Sequence, residues 1–78
     1  MNMAKNHQTD NPLYKALIKQ YESDIASAYA TLTIYFDSAV GIGEHPQHLE
    51  EMNKLVDQIA TAEDKLKSLN KHFNNTQI

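Results

Sequence analysis

Four groups of side chains in this sequence are of types that could do chemistry. Glu44-His45 with His48 spells Glu-His-x-x-His at the start of a predicted helix, and imidazoles three residues apart on a helix can share a metal ion. A third protein ligand would have to come from Glu51 or another chain, and none is predicted. The reading adopted is a capping turn carrying two exposed histidines, with no metal site. Gly41-x-Gly43 matches part of a phosphate-cradling loop, but no strand precedes it and no Gly-Lys-Ser/Thr follows. Helix capping accounts for these glycines better. Lys15, Lys19, Lys65, Lys67 and Lys71, with Lys5 on the tail, are candidates for contact with anions or nucleic acid. Tyr14, Tyr21, Tyr29 and Tyr35 could stack bases, but three of them fall on a helical seam and only Tyr29 is left free. There is no nucleophile–base pair at readable spacing, and one hairpin offers no volume for a closed pocket. The chain is therefore read as a non-enzyme with no catalytic residues and no cofactor.

The elements that must position these groups are two helices. Asp10 or Asn11 can cap the first, and Pro12 suits its first position, where the missing N–H costs nothing. Apolar residues then alternate at spacings of four and three: Tyr14, Ile18, Tyr21, Ile25, Ala28, Leu32, Tyr35, Ala39. That is a heptad seam. Leu17, Tyr29 and Phe36 widen it on its two flanks. Met52, Leu55, Ile59, Ala62, Leu66, Leu69 and Phe73 form a second seam, widened by Leu49 and Val56. Glu50–Lys54 and Glu63–Lys67 have the spacing of favourable i,i+4 pairs. The spacing predicts a helix over 12–40, a turn over 41–45 and a helix over 46–73. Residues 1–11 read as a disordered tail and 74–78 as a frayed one. Val40, Gly41, Ile42, Gly43, Glu44, His45 and Pro46 make up the turn motif, with a glycine ending one helix and Pro46 opening the next. The fold class is all-α, an antiparallel two-helix hairpin of coiled-coil type.

Composition narrows the function classes. A chain of 78 residues without cysteine has no disulfide to support a small core, which favours support from a partner chain. No apolar run reaches the length of a membrane span and no signal-peptide core opens the sequence, so no membrane role is expected. Net charge is −3 and all seven cationic residues are lysine. Without arginine, bidentate readout of phosphate or guanine is lost. Any nucleic-acid contact should be weak and non-specific.

Folding the hairpin places Lys15 near Lys71 and Lys19 near Lys67, with Lys65 close by, so its open end is basic. Asp37, Glu44, Glu50 and Glu51 make the turn end acidic. Two helices alone cannot cover Leu17, Tyr29, Phe36 and Val56, and Ile34 lies off the seam altogether. These five residues form the candidate partner interface. Pairing two hairpins end for end would give a four-helix bundle and lay each basic end on an acidic turn. A protein partner or a weak homodimer is expected.

The stretch from Tyr35-Phe36 through Val40-Gly41-Ile42-Gly43-Glu44-His45-Pro46 to Leu49-Glu50-Glu51, followed by Ala62-Glu63-Asp64-Lys65-Leu66, resembles a family of small helical-hairpin proteins of T4-type bacteriophages. Leu13-Tyr14 and Tyr21-Glu22-Ser23-Asp24 extend the likeness, which covers residues 13–73. Val-Gly-Ile-Gly-Glu-His-Pro is its distinctive part, and the remainder is amphipathic helix of a general kind. The resemblance implies a hairpin in the cytoplasm of an infected bacterial host, associated with a recombination helicase and accessory to DNA recombination or repair. It implies no catalytic residues and does not imply DNA binding. The alternatives are a self-assembling module with no nucleic-acid role and a sponge that holds a small anionic ligand with its lysines.

Overall fold

The computed structural model describes residues 6–38 and 47–74. Asn11 opens the first helix as expected. Its extended backbone (φ −71°, ψ 129°) precedes Pro12, and its side-chain Oδ1 accepts from the Leu13 N–H at 2.8 Å. One of the unsatisfied donors of the first turn is thereby paired. Helix α1 runs Pro12–Asp37 and helix α2 runs Gln47–Phe73. They pack side by side as an antiparallel pair, each about 40 Å long at 1.5 Å per residue.

The predicted seams are the packed surfaces. Tyr14, Ile18, Tyr21, Ile25, Leu32 and Tyr35 of α1 are half-buried, as are Met52, Leu55, Ile59, Leu66 and Leu69 of α2. Phe73, the last residue of the second seam, is exposed instead, because α1 begins beside it and leaves one side open. Ala28 (1% exposed) and Ala62 (2%) are the deepest positions. Alanine lets two helix backbones approach, whereas a longer side chain holds them apart and leaves its own edges wet. No large side chain is fully buried among the described residues, because two cylinders enclose only the line between them.

Polar contacts fix the register. Gln58 reaches from α2 to donate to the Asp24 carbonyl at 2.8 Å and to the Ser27 Oγ at 3.4 Å. The Tyr35 and His48 rings meet edge to face at 5.4 Å, and Lys65 Nζ stands 5.5 Å from the centre of the Tyr21 ring.

Three boundaries and two ion pairs differ from expectation. Helix α1 stops at Asp37 rather than at residue 40, with Ser38 leaving helical geometry (φ −108°, ψ 87°) while its N–H still bonds to Ile34 O at 3.0 Å. No basic side chain in that last turn complements the free carbonyls. Ala39 and the turn motif from Val40 to Pro46 lie outside the described residues. Within the segment read as a disordered tail, residues 6–11 have a structure. The Gln8 N–H donates to Phe73 O at 2.7 Å, His7 pairs with Asn74 across an antiparallel bridge, and the Asn11 N–H returns to Gln8 O at 2.9 Å. This strap ties the start of α1 to the end of α2. Asn74, assigned to the frayed C-terminal tail, is its other half. Lys54 pairs with Glu51 at 3.4 Å rather than with Glu50, and no Glu63–Lys67 pair forms among the described residues. Both members of the observed pair are well exposed, so it contributes little.

Candidate protein-contact face

In an antiparallel pair of seamed helices, the residue that follows each inner seam position lies on the same side of both helices. On α1 these flanking residues include Tyr29 and Phe36, seven apart and therefore two turns apart on one line. On α2 they are Leu49 and Val56, also seven apart. The opposite flank holds the Gln58–Asp24 and Gln58–Ser27 bonds, so the two sides of the hairpin are distinct. Tyr29, Phe36 and Leu49 are each 67% exposed and Val56 is 48% exposed. Four large apolar side chains thus share one side of the turn-proximal half, and none is covered by another described residue.

The five residues predicted as a single interface divide between the two sides. Tyr29, Phe36 and Val56 belong to the apolar face. Leu17 and Ile34 do not. Leu17 borders a groove of about 190 Å³ at the open end, with Leu13, Tyr14 and Phe73. Ile34 borders another of about 300 Å³, beside Thr31, Tyr35, Ser38 and His48. Spacing shows that these side chains miss the seam, and the side on which each falls follows only once the helices are paired. Leu49 completes the apolar face and was assigned only to the widened seam.

The lysines also divide. Lys15, Lys19 and Lys67 follow the apolar face toward the open end, with Glu22 and Glu63 between. Lys71 lies on the outer side of α2. Lys65 projects on the opposite flank, over Tyr21, into an open cleft of about 250 Å³ lined also by Asp64, Ser68, Leu69, His72 and Phe73. The five cations therefore do not converge on one anion site.

Two contacts were not anticipated. His48, read as exposed, is half-buried against Tyr35. It stands four residues before Met52, so the seam extended backward by one step would have included it. Gln58, a polar residue outside both predicted seams, bridges the helices. Among the described residues no group of three His, Cys, Asp or Glu side chains is arranged to hold a metal ion, while Glu44 and His45 lie outside them. No helix among the described residues is long and apolar enough to cross a membrane. No family model, curated protein or solved structure matches this chain.

Proposed function

We propose that this chain is a non-enzymatic interaction module that works by protein contact through the face bearing Tyr29, Phe36, Leu49 and Val56. We place its action in DNA recombination or repair in the cytoplasm of a phage-infected bacterium, accessory to a helicase. The observation that carries the contact reading is the four exposed apolar side chains on one face of so small a rod. Water contact with a contiguous patch of this kind is costly, and a covering partner removes that cost. The biological setting rests on the resemblance of the Val40–Pro46 segment and its flanks to the T4-type phage family. No residue is assigned a catalytic role, and the face is flat rather than a pocket that could close over a substrate.

The test is a genetic cross. The coding sequence is deleted from the phage and restored either as the natural chain or as the Tyr29→Glu/Val56→Glu variant. Recombinant frequency between marked phages is then measured. The natural chain should restore the frequency lost on deletion and the variant should not. An unchanged frequency on deletion would remove recombination from the proposal.

A second reading is favoured by one observation, the cleft where Lys65 overhangs Tyr21 beside Ser68 and His72. A ring to stack on and a cation beside it suit a small planar anion, although Asp64 in the same cleft opposes negative charge. In that reading the protein is a sponge for such a ligand. Thermal melting with a panel of nucleotides tests it: a rise in Tm that Lys65→Glu abolishes supports the sponge, and no rise discards it.

A further inference from the structure

The apolar face continues beyond its four large residues, and its sequence of sizes and charges is ordered. From the turn toward the open end, the flank of α1 carries Phe36, Thr33 and Tyr29, then small Ala26, then Glu22 and Lys19. The same flank of α2 carries Leu49, Asn53 and Val56, then small Ala60, then Glu63 and Lys67. Ala26, Ala60, Lys19 and Lys67 are all exposed. Large apolar groups thus lie in one half, small groups in the middle, and in the other half the long cationic stems with Glu22 and Glu63 among them.

We propose that this face is covered by a second copy of the chain, turned end for end about a two-fold axis near mid-length. This rests on reading the face as a contact surface. Under that rotation α1 lies along α1 of the second copy and α2 along α2, and every helix is antiparallel to both its neighbours, as in a four-helix bundle. Tyr29 comes over Ala26 of the second copy and Val56 over Ala60, large against small. Phe36 and Leu49 lie along the methylene stems of Lys19 and Lys67. The ammonium heads of those lysines extend toward Asp37 and Glu50 of the other chain. The symmetry makes each contact twice. Pairing the hairpins in the same direction would instead set Glu22 against Glu63 and Lys19 against Lys67, like charge on like.

The area is that of a weak dimer. About 20 residues of each helix overlap under this rotation, a length of about 30 Å over a pair about 20 Å wide, so on the order of 600 Å² per copy is covered, below the ~800 Å² per partner of a standard stable interface. The dimer is therefore of modest affinity and depends on concentration. Its end-to-end charge attraction is screened by salt within about 10 Å at 0.1 M.

Sedimentation equilibrium over a concentration series, at low and high salt, tests this. The mass should rise from 8.9 kDa toward twice that value, and added salt should raise the dissociation constant. Tyr29→Glu/Val56→Glu should weaken the dimer by roughly tenfold or more, whereas Ile34→Glu on the opposite flank should not. All three side chains are largely exposed, and circular dichroism of each variant checks that helicity is kept. Since the chain has no cysteine, Ala26→Cys gives a second measurement. A short bis-maleimide should link it into a covalent dimer and leave Thr31→Cys monomeric. A mass fixed at 8.9 kDa up to hundreds of micromolar overturns the proposal. Dissociation by Ile34→Glu with the Tyr29/Val56 variant unaffected overturns it as well. If the natural chain is monomeric and the same variant still fails in the phage cross, the second copy is excluded and the contact reading stands.

Discussion

Asn11 does two things with one side chain. Its Oδ1 caps α1 by accepting from the Leu13 N–H, and its Nδ2 donates to Gln8 Oε1 at 3.2 Å, which joins the cap to the strap. Asn11→Ala removes both bonds and should cost about 1 kcal/mol, a fall of roughly 4–8 °C in Tm for a domain of this size. Asn11→Asp keeps the acceptor and should recover most of that loss. Equal melting of the alanine variant and the natural chain would show that the cap contributes nothing. Ala28 makes a different point. Seam logic favours a larger apolar residue there, yet Ala28 is almost wholly enclosed. Ala28→Leu should force the helices apart and destabilise by about 1–3 kcal/mol, while Ile25→Ala at a half-buried seam position should cost a similar amount by leaving a gap. Chemical denaturation measures both, and a stabilised Ala28→Leu would mean that the helices do not approach closely at that level.

At the scale of elements, the two helices were legible because their signals lie in side-chain type. Alternating spacings of three and four, Asn11-Pro12 at one start, and acidic Glu50 early with Lys71 and His72 late in α2 each have a physical cause readable from residue identity. The strap was not legible, for an equally physical reason. Its closing bond runs from the Gln8 N–H to Phe73 O, and a backbone donor is the same in nearly every residue. A polar stretch with no periodicity therefore looks alike whether it is pinned or free. The face bearing Tyr29, Phe36, Leu49 and Val56 was half legible: spacing placed these residues off the seam, but only antiparallel pairing put them on one side and set Leu17 and Ile34 on the other. The strap itself is testable. The Gln8 amide should exchange with solvent more slowly than an unbonded amide, and removing residues 1–10 should lower stability by about 1 kcal/mol, as expected for loss of one or two net hydrogen bonds. Exchange at the free-amide rate would show that the strap is open.

At the scale of the whole molecule, the charge map limits what the protein can hold. Net charge is −3, and Lys15, Lys19, Lys65, Lys67 and Lys71 are distributed around the open end rather than gathered on one surface. A duplex laid on the flank with Lys15, Lys19 and Lys67 would also meet Glu22 and Glu63. At most about three phosphates are then neutralised, so binding should be non-specific, with a log–log salt slope no steeper than about −3, and should be lost near 0.15 M salt. Fluorescence anisotropy with a labelled duplex across a salt series measures both the slope and the loss. The dimer adds a sharper expectation, because it places Lys19 and Lys67 against the second copy. DNA and the second copy then compete for one face. At fixed low salt, the Tyr29→Glu/Val56→Glu variant brings added negative charge to that face and should bind DNA more weakly. A neutral Tyr29→Ser/Val56→Ser variant, monomeric and unchanged in charge, should bind more tightly than the natural chain at concentrations where the latter is paired. Identical DNA affinity for the neutral variant and the natural chain, with the natural chain dimeric, would mean that the lysines meeting phosphate are not those covered by the partner. Tight binding that survives physiological salt would move the protein out of the protein-contact class altogether.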